Sequence, residues 1–184
     1  MRGSRRVGGA AAAILLAAAA VASGEDLAAA KAEIAQGRSR LESFDYDGAE
    51  AAMTRAIEAA PGWATTWTER AFVKARAEKP VSALEDLAQA LERDPGGLPI
   101  LNLKARVLMD LDAWAESAEV SAKVLAVRRD DPYALALHGK ALVQSGDLEG
   151  GLAELERAAG ADPAAFGGDL SDARLVAADW AGAL

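Results

Sequence analysis

Residues 67–95 read WTERAFVKARAEKPVSALEDLAQALERDP. Apolar and small residues recur every three or four places on both sides of Lys79-Pro80, a spacing that predicts two amphipathic helices joined by a tight turn. Proline in the first turn of a helix wastes no backbone donor, so the second helix is expected to begin at Pro80. Asp94-Pro95-Gly96-Gly97 ends it, since proline and paired glycines cannot continue it.

The same pattern recurs at a constant step along the chain. Residues 30–63, 64–97, 98–131 and 132–165 align without a gap. The eighth position holds Gly37, Ala71, Ala105 and Gly139; the twentieth Ala49, Ala83, Ser117 and Gly151; the twenty-seventh Ala56, Ala90, Val124 and Ala158. Paired helices and the first helix of the next unit approach closely only where side chains at the crossings are small. Trp67, Leu101 and Leu135 at the fourth position, Leu108 and Leu142 at the eleventh, and Met53, Leu87 and Leu155 at the twenty-fourth fill the spaces between.

This helix–turn–helix unit, with its small residues at eight, twenty and twenty-seven and proline at thirty-two, resembles the tetratricopeptide repeat. The copies at 67–95 and 135–163 carry the resemblance best, and it covers residues 30–165. It implies an all-α, right-handed superhelix of four helix–turn–helix repeats within 25–165, and a C-terminal closing helix over 166–184 follows. Gly167-Gly168 is expected to stop the chain, and Asp169 to cap a last helix burying Leu170, Ala173, Val176 or Ala177, and Trp180. Departures from the pattern are Glu33 at position four, Arg40 and Lys74 at eleven, and Ser121 at twenty-four.

Composition narrows the chemistry. The chain of 184 residues has no cysteine, one histidine, 5% aromatic residues and a formal charge of −8. Disulfides, thiol nucleophiles and cysteine zinc sites are excluded, and an acidic chain is a poor nucleic-acid binder. FDYDGAE at 44–50 has its glycine in the wrong place for a calcium loop and reads as a turn with Asp45 or Asp47 capping a helix. His138 has no second histidine with which to share a metal, and no nucleophile is placed for it. No metal, cofactor or catalytic residue is assigned, and the chain reads as non-catalytic.

Residues 1–24 form a separate object. MRGSRR is a positive start, residues 7–22 are apolar, and Ala20-Val21-Ala22 has the small-x-small form that a signal peptidase reads. The apolar run is shorter than the ~20 residues of a spanning helix. Cleavage and export to a bacterial periplasm are therefore expected, with retention as an inner-membrane anchor the alternative. Loss of the segment removes Arg2, Arg5 and Arg6 and no acid, leaving −11.

In a superhelix of this kind the first helix of each unit lines the concave side. Positions two, five, nine and twelve then face inward, and none of them is acidic in any unit. Arg38, Arg106 and Lys140, with Asn102 and Thr68 as polar partners and Phe72 and Tyr133 as apolar contacts, are the candidate partner-binding residues. They suit an extended protein segment or peptide, acidic or ending in a free carboxylate. The lysine, asparagine and arginine pattern with which tetratricopeptide domains grip chaperone tails is not reproduced. The expected role is an exported adaptor or scaffold. The alternative is a structural or assembly factor of a cell-envelope complex acting through self-association, its convex surface or Trp63.

The charged run VRRDDPYA, 127–134, reads as a junction. Arg128 and Arg129 close one helix, Asp131 caps the next, and Pro132 enters its first turn.

Overall fold

The structure, a computed structural model, describes residues 24–182. The export-signal reading of the N-terminal segment and the side chain of Trp180 lie outside what it describes. Among the described residues the elements are α1 (Gly24–Glu42), α2 (Tyr46–Ala59), α3 (Ala64–Arg76), α4 (Pro80–Arg93), α5 (Leu98–Met109), α6 (Trp114–Val127), α7 (Pro132–Gln144), α8 (Leu148–Ala161) and α9 (Pro163–Gly182). The second helices, α2, α4, α6 and α8, each begin and end one full repeat length after the one before. The helices stack as four antiparallel pairs with α9 closing the array, a right-handed superhelix.

The three small-residue columns are where the helices touch. Ala71, Ala105, Ala49, Ala83, Ala56, Ala90, Val124 and Ala158 are all fully buried. Met53, Leu87 and Leu155 fill the next column, also fully buried. Ser121 takes that place in the third unit without leaving a polar atom unpaired. Its hydroxyl donates to the Ser117 carbonyl at 2.7 Å, and Ser117 donates across to Ala105 at 2.9 Å.

The other departures also resolve into pairs. Glu33 accepts from Arg55 and Asp45 from Arg40, each at 2.9 Å. Lys74 runs inward to Asp86 at 2.8 Å, and Asp86 takes two further bonds from Arg70 at 2.7 and 2.8 Å. This buried carboxylate joins α3 to α4, and Arg70 reaches on to Thr54 of α2 at 3.3 Å.

Local chemistry sets the helix starts. The Asp45, Asp131 and Asp147 carboxylates each accept, at 3.0 Å, the backbone N–H three residues on, which satisfies a donor that the first turn leaves free. The junction reading of 127–134 therefore holds, and Arg157 reinforces it by donating to Asp130 and to the Arg129 carbonyl.

Between the two helices of each unit, position fifteen has a left-handed backbone: Phe44, Glu78, Asp112 and Gly146 have φ of 61°, 59°, 57° and 95°. Only the last is glycine. The left-handed penalty of about 1–2 kcal/mol on a side chain exceeds the unfolded-state entropy of about 0.4–1 kcal/mol that glycine adds. Glu78→Gly is accordingly expected to raise stability by about 0.5–1 kcal/mol, read as a higher urea midpoint at unchanged slope.

The closing helix differs from expectation. It begins at Pro163 rather than after the paired glycines, with the Asp162 carboxylate accepting from Ala165 N–H at 3.0 Å, and it runs through Gly167-Gly168 unbroken. Phe166, Leu170, Ala173 and Val176 bury one face against Leu135, Ala136, Val143 and Leu155 of α7 and α8. That burial outweighs the cost of about 1 kcal/mol for each interior glycine. Asp169 lies inside the helix and accepts from Lys140 at 2.8 Å, so it does not cap.

Candidate functional site

One groove of about 580 Å³ crosses four first helices. Arg38, Leu41 and Glu42 reach it from α1, Thr68, Glu69 and Phe72 from α3, Pro99 and Leu103 from α5, and Tyr133 from α7. Small residues at position eight let the pairs stack closely, and α1 and α3 turn their ninth-position side chains, Arg38 and Phe72, to this side. Phe72 and Tyr133 are 40% and 38% exposed, open enough to meet a partner while still packed at their bases. The Thr68 hydroxyl donates to the Ala64 carbonyl at 2.9 Å and keeps acceptor capacity free.

Four of the seven predicted residues, Arg38, Thr68, Phe72 and Tyr133, line this groove together. Arg106 lies alongside: a hydrogen bond with Tyr133 holds its guanidinium pKa above the ordinary value, burial opposes it, and the Asp110 charge adds a lesser upward pull. Asn102, on α5 between Pro99 and Leu103, has a buried Oδ1 with no hydrogen-bond partner among the described residues. Lys140 is elsewhere. It lines a smaller hollow of about 140 Å³ between α7 and α9, with Val143, Asp169, Ala173 and Val176.

The expectation of an inner face without acids is corrected. Arg38 makes a two-pronged ion pair with Glu69, its Nε donating at 3.1 Å, and this bond is the main reason its pKa is raised. Arg106 reaches Asp110 at 3.4 Å and Lys140 reaches Asp169 at 2.8 Å. Lys31 lies 6.0 Å from the centre of the Trp63 ring. Ile34, Ala136 and Val143, also counted as inward-facing, are only 6%, 3% and 5% exposed and belong to the core.

Glu42 and Glu69 were missed because the inward stripe was counted along one helix at a time. Neighbouring units are staggered so that position nine of one meets position six of the next, which brings Arg38 to Glu69 and sets Phe72 with Leu103 in the same groove. Where that sixth place is apolar, as at the buried Leu137, Arg106 meets Tyr133 of α7 and Asp110 at the end of its own helix instead. A basic residue at place nine followed by an acid at place six of the next unit is the signal that one-helix periodicity does not carry. His138, the sole histidine, pairs with Glu154 through Nδ1 at 2.5 Å. Trp63 packs half-buried against the first core cluster, occupied within the fold.

Residues 74–141 match the family model described as tetratricopeptide repeat. Sperm-associated antigen 1 of Rattus norvegicus is 31% identical over 105 residues, which are 57% of this chain. The chain covers only 12% of that relative's length. Pseudomonas aeruginosa PilF superposes with a TM-score of 0.74 at 16% identity, over 85% of this chain and 72% of that one. The first repeat domain of Spaghetti (RPAP3), solved with the HSP90 peptide SRMEEVD, gives 0.59 at 19% identity, over 62% of this chain and 91% of that one. At these identities the structural likeness is one of fold. No helix among the described residues is long and apolar enough to cross a membrane.

Proposed function

The chain carries tetratricopeptide repeats, and from that premise we propose that it is an exported, non-catalytic adaptor holding an extended segment of a partner protein across its first helices. The observation that carries this reading is the convergence of Arg38, Thr68, Phe72 and Tyr133, from three different helices, on one open groove. A groove spanning several repeats fits an extended chain better than a compact small molecule, since its lining runs along the stack. The peptide bound to the RPAP3 repeat domain supports the same use of the fold. Export to the bacterial periplasm rests on the pattern of residues 1–24.

Photo-crosslinking in cells tests it. A photoreactive residue placed at 72 or at 133 is expected to capture the same partner, whereas one at the exposed Val127, on a second helix, captures none. Capture from 127 alone, or of a second copy of the chain, would instead establish the assembly role. The mass of the recovered chain reports whether residues 1–24 have been removed.

A further inference from the structure

The chemistry of the groove narrows what it can hold. Its floor is apolar: Leu41 from α1, Phe72 from α3, Pro99 and Leu103 from α5 and Tyr133 from α7. Its one cation, Arg38, is already paired within the chain. Arg38 gives its Nε and Nη2 to Glu69, whose side chain is only 15% exposed against 62% for Arg38 itself. A carboxylate ligand bonding the remaining donors of Arg38 would share a cation already neutralised by Glu69 and sit near a second negative charge, an arrangement that gains little affinity.

The charge balance points the same way. Glu42 and Glu69 outnumber Arg38 in the lining, Arg106 beside it is matched by Asp110, and the whole chain is at −8. The long-range field therefore turns an acidic segment away and favours a neutral or basic one.

Resting on the groove reading above, we propose that the groove selects an extended segment by one large apolar side chain, seated among Leu41, Phe72, Leu103 and Tyr133, with neutral or basic residues around it. The Arg38–Glu69 pair forms a rim to this seat, so the one cation in the lining is already neutralised within the chain. The partner is a protein segment bearing Leu, Met, Phe or Trp in an extended stretch poor in acids.

The probe is a displayed library of short random peptides, selected on the full chain, with individual sequences then resynthesised with free and with amidated C-termini. Selected peptides are expected to share one large apolar residue, to be poor in acids and to bind equally well with free and amidated C-termini, the neutral ones changing affinity less than about threefold between low and high salt. Phe72→Ala should weaken them about tenfold or more, as loss of a central aromatic contact does, while Val127→Ser, at an exposed position on a second helix outside the groove, leaves them unchanged. Tyr133→Ala provides a second lesion, and thermal melting checks that each variant is folded. Selected peptides that are rich in acids or need a free C-terminus, and are lost in Arg38→Gln and in salt, would overturn this proposal and leave the groove reading standing. Peptides indifferent to Phe72, Tyr133 and Arg38 alike, or a selection that enriches nothing, overturn both.

Discussion

Asp86→Ala is expected to destabilise the chain by about 3–5 kcal/mol, the cost of removing one partner from a buried ion pair. The Asp86 side chain is 4% exposed and faces two cations, Arg70 and Lys74, whose side chains are 18% and 11% exposed. Without the carboxylate both positive charges stay in the packed seam between α3 and α4. Neither has a comparable second partner: Arg70 keeps Thr54 at 3.3 Å and Lys74 the Ser82 carbonyl at 3.5 Å. Lys74→Met should cost far less, about 1 kcal/mol or under, because Arg70 keeps its two-pronged bond and position eleven is apolar in the third and fourth units. Urea unfolding followed by tryptophan fluorescence reads both. Trp67 is well placed to report, with the Arg70 and Arg93 guanidiniums 5.2 and 4.6 Å from its ring centre. An Asp86→Ala loss below about 1 kcal/mol would show that the seam admits water.

This triad also shows what a single sequence discloses and what it hides. The columns at eight, twenty and twenty-seven were legible because close helix crossings exclude large side chains wherever they occur, and that constraint returns in every unit. Lys74 was legible only as an exception to an apolar column. Its partner sits on the other helix of the unit, where periodicity along one helix gives no pairing. Arg70–Asp86 and His138–Glu154 occupy the same two places, seven and twenty-three, of the second and fourth units. A base at seven opposite an acid at twenty-three was therefore a readable signal that went unread.

The groove was half legible for the same reason. Period and face gave Arg38, Thr68, Phe72 and Tyr133, but the stagger between units, which brings Glu69 to Arg38, is a property of the stacked array. At the closing helix a sound local rule lost to tertiary packing: Gly167-Gly168 weakens a helix, yet Phe166, Leu170, Ala173 and Val176 gain enough by burial to carry the helix through.

Glycine to alanine should accordingly have opposite signs at two places in the last two helices of the array. At Gly151 a Cβ would stand 2.6 Å from the Gly139 carbonyl oxygen and 2.9 Å from the Val143 backbone nitrogen. Backbone atoms cannot swing aside as a side-chain end does, so α7 and α8 must separate along a crossing that Leu155 also fills. We expect Gly151→Ala to cost about 1–3 kcal/mol, towards the upper end, after the propensity gain of about 1 kcal/mol is overcome. At Gly168 a Cβ meets no atom of the described residues within 4 Å beyond its own turn. Gly168→Ala should therefore keep that propensity gain and stabilise α9 by about 1 kcal/mol. Paired urea titrations, with amide exchange in α7–α9 as the local reading, test both at once. A stabilising Gly151→Ala would mean that the chain does not resist at the α7–α8 crossing, and that small residues in these columns reflect an alanine-rich composition and no steric demand.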